Sequence, residues 1–152
     1  DQIVNSDFFH KSLNKSITEE FSENELYDFS SDLVVSNATI EHVGNTLNQK
    51  KMLENIIKLT KKIFVITTPN RFYPIELHTK IPLLHWFPKS IYRRILNFLG
   101  LSFYADEKNL NLLTINELKK MLNDHKIIYE IKFLKLFFFK SNIIIIGKKI
   151  TN

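Results

Sequence analysis

The sequence predicts an α/β sandwich: a parallel βαβ unit, then a helix, then a closing antiparallel pair of strands. Three observations predict it. Asp32-Leu-Val-Val-Ser36 and Ile63-Phe-Val-Ile-Thr67 are short apolar runs, the pattern of a parallel strand buried on both faces. Between them, Leu47, Met52, Leu53, Ile56, Ile57 and Leu59 recur at helical spacing from Thr46 to Lys62. Two strongly β-prone runs, Ile127–Phe138 and Asn142–Lys149, close the chain, and the short Lys140-Ser-Asn142 turn between them makes them antiparallel neighbours.

Each element follows from its residues. Residues 1–31 are polar and weakly patterned, with one short strand expected near Ser16–Phe21. Strand, helix, strand from 32 to 67 requires a right-handed crossover and parallel strands. Thr68-Pro69-Asn70 stops the second strand, and residues 69–88 run irregularly through Pro69, Pro74, Pro82 and Pro88. This stretch carries Phe72, Tyr73, His78, His85, Trp86 and Phe87; so long and aromatic a loop in a compact domain reads as a lid or binding loop. Helix Lys89–Leu99 follows, with Gly100 placed to end it. Thr114-Ile-Asn-Glu117 is a capping box opening the helix that holds Leu118, Met121 and Leu122.

Composition removes several function classes. A chain of 152 residues is one domain, expected over 1–152 with a lid-like insertion at about 69–103. With no cysteine, disulfides, thiolate zinc sites and a cysteine nucleophile are excluded, which fits a reducing, cytoplasmic setting. Gly44, Gly100 and Gly147 lie too far apart for a glycine-rich dinucleotide turn or a phosphate loop. Residues 1–46 carry a balance of −7 and residues 47–152 one of +12, but 18 of the 21 bases are Lys. Together with abundant Asn and Ile, that bias points to an AT-rich genome more than to a binding face. No nucleic-acid motif accompanies it, so no nucleic-acid partner is expected. No apolar run is long enough to span a bilayer. The chain starts on Asp with no leader-like segment, and a fragment of a longer protein is expected.

The order of elements resembles the C-terminal two-thirds of a class I S-adenosylmethionine-dependent methyltransferase. The resemblance is carried by Tyr27-Asp-Phe-Ser-Ser-Asp-Leu-Val-Val-Ser-Asn-Ala-Thr-Ile-Glu-His-Val43, which looks like the family's fourth strand and following loop, and by Ile66-Thr-Thr-Pro-Asn70 at the end of its fifth. It covers residues 16 to 149. It implies a Rossmann-like sheet, N-terminally truncated and mostly parallel, with an antiparallel C-terminal β-hairpin. It also implies S-adenosylmethionine as cofactor and a small-molecule or lipid- or saccharide-like acceptor. The family's glycine-rich loop and second-strand acid, which hold the methionine and ribose of the cofactor, have no counterpart here. The chain alone is therefore expected to be inactive. The competing reading is a non-catalytic methyltransferase-like module that recruits a protein or membrane.

Parallel sheets bind ligands outside the carboxyl ends of their strands. Ser36, Asn37, Ala38 and Thr39 lie at that end of the first strand, where the resemblance implies cofactor contact; local turn hydrogen bonding is the alternative. His42, beside them, is the candidate general base, or else a loop-ordering group. Glu41 either orients it or complements a helix start. In some quinone-biosynthesis and RNA-end methyltransferases a similar Glu-His pair binds a divalent metal with an earlier acid. That earlier position is Ala38 here, so no metal is expected. Asn70, Arg71, His78, His85 and Trp86 follow the second strand and are candidates for the acceptor pocket, with packing inside the lid as the alternative. Phe137–Phe139 and Ile143–Ile146 read as buried strands. The better surface for peripheral membrane contact is 82–103, where Leu83, Leu84, Trp86, Phe87, Ile91 and Ile95 stand near Lys89, Arg93 and Arg94.

Overall fold

A computed structural model describes residues 11–150 of the chain. A four-stranded sheet holds β1 (Ser31–Asn37), β2 (Thr60–Pro69), β3 (Ile127–Leu136) and β4 (Phe139–Lys149) in the order β1-β2-β4-β3. β1 and β2 are parallel, joined through α2 (Thr46–Leu59); β4 runs antiparallel to both β2 and β3. Thus the parallel βαβ unit and the reversed edge both follow the sequence pattern. α2 ends three residues before the helical spacing suggests. Thr60 turns its hydroxyl onto the Ile56 carbonyl, and its backbone joins β2 opposite Ser31.

The expected strand near Ser16–Phe21 is a turn. Its hydroxyls and Glu19 bond local backbone, and the buried Asn55 amide takes the carbonyls of Ile17 and Glu19, so these groups need no sheet partner. Residues 1–10, polar and weakly patterned in sequence, lie outside the described residues. Two short helices escaped the pattern: α1 (Glu23–Phe29), opened by a Ser22–Glu25 capping box, and α4 (Ser102–Ala105). Between them in sequence comes α3 (Lys89–Phe98), which ends in a Schellman turn. Gly100, at φ +74°, bonds the Asn97 carbonyl and Leu101 bonds that of Leu96. α5 (Ile115–Asn123) opens on the Thr114–Glu117 capping box as read.

The hairpin differs most. Its turn is Phe137–Phe138, not 140–142, so β4 starts at Phe139. A two-residue loop with positive φ at Phe137 (56°) matches the twist of the strands. Phe137 and Phe138 are therefore almost fully exposed, not buried.

α2 and α5 cover one face of the sheet. Ile40, Met52, Leu53, Ile56, Phe64, Ile66, Leu118, Leu122, Ile143 and Ile145 form its core. The both-faces burial expected of the two parallel strands is not observed. Leu33 and Val35 of β1 are more than half exposed, and Ile63 of β2 and Ile128 of β3 are exposed as well, because β1 is an edge strand and the core of α2 and α5 packs on one face only. A smaller cluster of Tyr92, Leu96 and Ala105 joins α3 to α4.

Candidate functional site

The crossover puts the carboxyl ends of β1 and β2 side by side, with Asn37 opposite Thr67. The loop leaving β1 is strapped to β2. Ala38 donates its N–H to the Thr67 carbonyl at 3.0 Å, and the Thr67 hydroxyl bonds the Asn37 side chain. Ala38 takes φ 49°, a conformation that costs a β-carbon-bearing residue about 1 kcal/mol or more and persists only where the surroundings impose it. Thr39 turns its hydroxyl to the Asn37 carbonyl at 3.1 Å. Ser36 is buried, and its hydroxyl has no partner among the described residues.

A short 3₁₀ turn, Ile40–His42, then lowers Glu41 into the core. Its side chain is wholly buried. One carboxyl oxygen accepts the Thr68 hydroxyl at 2.9 Å; the other, Oε1, has no hydrogen-bond partner among the described residues and lies 4.0 Å from His42 Nε2. Burial lifts the Glu41 carboxyl above the ordinary range, against its own N–H, Thr68 and the His42 and His78 rings. His42 Nδ1 lies 2.7 Å from the Asn109 carbonyl, which only accepts, so Nδ1 carries the proton and Nε2 holds the lone pair of the neutral ring.

His78 arrives from the segment after β2, its ring edge-on to His42 with centroids 4.9 Å apart. Glu76 holds it. The buried Glu76 carboxylate accepts His78 Nδ1 at 2.6 Å and the N–H groups of His78 and Thr79 at 2.9 and 2.6 Å. Burial alone would raise Glu76; the N–H groups of His78 and Thr79, with the His78 ring, bring it below the ordinary range. The Tyr104 ring lies tilted to that of His78, with centroids 6.1 Å apart. Two carboxyl–imidazole pairs, Glu41–His42 and Glu76–His78, therefore meet at the rim of the sheet.

A buried amide network fixes the loop from behind. Gln49 Nε2 donates to the carbonyls of Ile40 and Asn111, Asn111 Nδ2 donates to that of Gly44, and the Asn111 N–H reaches the Glu41 carbonyl at 2.7 Å. Sequence reading missed Glu76, Asn109 and Asn111. The Glu76-x-His78 spacing was the available signal for the first; only the fold brings 109–111 beneath 40–44.

The remaining candidates separate by position. Asn70 is buried and ties the segment to the start of β4, through its own N–H to Ser141 and its amide to the Lys140 carbonyl. Arg71 lies under the segment, donating to the carbonyls of His85 and Phe87. His85 is buried, with Nε2 on the Tyr73 carbonyl at 2.7 Å, and burial lowers its pKa. Trp86 is half-exposed and packs edge-on to Phe72 at 6.5 Å. Of the substrate-side residues, the rim therefore has His78, while Asn70, Arg71 and His85 bear on the segment's own folding. Among the described residues no cluster of three His, Cys, Asp or Glu has metal-binding geometry, and no helix is long and apolar enough to cross a membrane.

No protein-family profile matches the sequence, and no curated protein is significantly similar to it. Solved structures match its fold. One is a SAM-dependent methyltransferase of Methanosarcina mazei, at 13% identity and TM-score 0.53, covering 91% of this chain and 66% of that one. Another is an O-methyltransferase family protein from Burkholderia thailandensis, at 11% and 0.53, covering 90% and 35%. A third is the small RNA methyltransferase HEN1, at 16% and 0.53, covering 89% and 15%. The chain has the fold of class I S-adenosylmethionine-dependent methyltransferases. It spans less than two thirds of the length of each of these three structures.

Proposed function

We propose that this chain is the acceptor-side part of an S-adenosylmethionine-dependent methyltransferase, in a cytoplasmic protein acting on a small-molecule or lipid-like acceptor. The observation that carries the proposal is the meeting of His42 and His78. It joins the loop after β1 to the segment after β2 at the strand ends, where an open α/β sheet binds its ligand. Residues 70–88 then act as a lid, and the acceptor lies between it and Ser36–Val43.

The fit to the cofactor is one-sided. Asn37, Ala38 and Thr39 are exposed at the strand end, but the side chain of Asn37 is spent on Thr67 and that of Thr39 on backbone. The three glycines of the chain make no cradle, so these residues form one wall of a cofactor site and not a whole one. When bound, the cofactor supplies an electrophilic methyl on a sulfonium; no further step is assigned to it.

What the chain's own residues can do is take a proton. An oxygen or nitrogen acceptor loses its proton as it is methylated, and an imidazole is suited to receive it near neutral pH. His42 is the proposed base. Glu41 stands ready to balance the imidazolium once formed, and His78, held by Glu76, supplies a second imidazole beside it. In the full gene product, His42→Ala is expected to lower kcat by roughly 10²-fold or more while cofactor affinity stays within about threefold. Radiolabelled methyl transfer and calorimetry measure the two. Equal losses in both would assign His42 to the loop's structure.

A further inference from the structure

The β3–β4 hairpin ends in apolar rings that no packing contact explains. β4 runs antiparallel to β2, so it starts at the carboxyl end of β2, the end that carries the lid. Beyond the last β2 pair, Pro69–Asn142, the strand continues through Ser141 and Lys140 to Phe139, an overhang of about 10 Å at about 3.4 Å per residue. At the tip Phe137 and Phe138 are 84% and 97% exposed, and Leu136 and Phe139 behind them are half-exposed.

The backbone makes this placement more costly still. Phe137 takes φ 56°, where a two-residue hairpin calls for glycine or asparagine because a β-carbon is crowded there. An Asn-Gly pair would close the turn with less strain and leave no ring in water. The local rule is broken with no gain in packing, which is the mark of a functional position.

Charges around the tip have one sign. Lys132, Lys135 and Lys140 flank it, and no acidic residue occurs from Ile131 to Asn152. Lys132 reaches back to Glu130 at 3.4 Å, and Lys140 Nζ lies 4.3 Å from the centre of the Phe133 ring. Lys135 makes no ion pair among the described residues. The lid starts beside the hairpin: Asn70 bonds the Ser141 and Lys140 carbonyls, and exposed Ile75 and Leu77 border one pocket with Ser141. From Leu77 to Ala105 the chain carries Lys80, Lys89, Arg93 and Arg94 and no acid; Lys89 and Arg93 are paired with Glu117 and Glu107.

We infer that the hairpin tip docks on an anionic phospholipid surface, with Phe137 and Phe138 sunk to the acyl boundary and Lys135 and Lys140 at the level of the headgroups. Charge decides the occupant. A second copy docked tip to tip would set the same cations against these, whereas anionic headgroups answer them. Lysine suits the border of such an anchor, since its stem lies along apolar surface while its ammonium stays in water. The docking stands apart from methyl transfer. That a lipid-like acceptor would then reach the rim from the bilayer rests on the methyltransferase reading.

The test is co-sedimentation of the full gene product with vesicles of phosphatidylcholine alone and of phosphatidylcholine mixed with phosphatidylglycerol. Binding to the mixed vesicles is expected, several-fold stronger than to the neutral ones and weakened by salt. Phe137→Asn with Phe138→Gly supplies residues the turn favours. That double variant should melt no lower than wild type, while its partitioning falls roughly tenfold or more. Lys135→Gln with Lys140→Gln should remove most of the difference between the two vesicles. Phe98→Ser, at an exposed ring of α3, should lose nothing. A folded full product that binds neither vesicle, or a double Phe variant that binds as wild type, would overturn the proposal. So would a wild type that dimerises in sedimentation velocity and a double Phe variant that does not, since the tip would then join two copies. No S-adenosylmethionine is present in these assays, so their failure leaves the methyltransferase reading untouched.

Discussion

Gly147 offers the sharpest test of the packing that holds the site. It sits on β4 directly opposite Phe64 of β2, the two central strands, and the wholly buried Phe64 ring lies over it. A β-carbon at 147 would stand 2.2 Å from Phe64 Cζ, 2.6 Å from Cε1 and 2.9 Å from Cε2. Carbon atoms rest at about 3.5–4.0 Å, so the ring would have to retreat by more than about 1 Å. It has nowhere to go, since Ile40, Met52, Ile66 and Ile145 belong to the same close-packed cluster. Gly147→Ala is therefore expected to cost about 2–3 kcal/mol, toward the upper end for overpacking. Read by circular dichroism in urea, that is a fall of about 1 M in the midpoint with little change in slope. Phe64→Leu shortens the side chain, so the double variant should lose clearly less than the two single losses added together. An unchanged midpoint in Gly147→Ala, or strict additivity in the double variant, would refute the reasoning.

Other outcomes follow from the rim. The two buried carboxyls should respond to pH in opposite senses. Glu76 has a lowered pKa, so its stabilisation is complete above the unfolded value of 4.5 and is lost as pH falls through the native one. Glu41 has a raised pKa, so its favourable state lies below 4.5 and is lost as pH rises through the native value. Thermal melts between about pH 4 and pH 7 should show Glu76→Gln falling behind wild type as pH rises, and Glu41→Gln gaining on it; parallel curves would contradict both assignments. In the full gene product, Trp86→Ala should mainly raise the KM for the acceptor, by roughly tenfold, with kcat nearly kept, because a half-exposed aromatic on the lid binds without touching the reacting atoms. A fall in kcat alone would remove Trp86 from the acceptor's wall.

The parts of the fold legible in the sequence are those set by periodicity and local chemistry. β1, α2 and β2 announce themselves by apolar spacing, and α3 and α5 by Gly100 and the Thr114–Glu117 box. The errors have different causes. Ser16–Phe21 depends on a partner distant in sequence, and the hairpin turn on the way the neighbouring strands β3 and β4 pair. Asn55 takes the carbonyls that a strand at 16–21 would have offered, and the register of β4 against β3 selects Phe137–Phe138 as the turn despite its apolar character. At the site, His42 and the strand-end loop were legible from their place after an apolar run. Glu76 and Asn109 were not, because their importance lies in holding His78 and His42, and that depends on long-range contacts. Arg71 stood out as one of only three arginines, yet its surroundings under the lid are a property of the fold alone.

The most direct measurement of the central claim is calorimetric titration of S-adenosylhomocysteine into two proteins, the full product of the gene and this 152-residue chain, each shown to be folded. The proposal expects saturable one-to-one binding to the full product and little or none to the chain, whose residues form one wall of the site. A folded full product that binds neither S-adenosylhomocysteine nor S-adenosylmethionine would contradict the methyltransferase reading and leave the fold serving as a non-catalytic module.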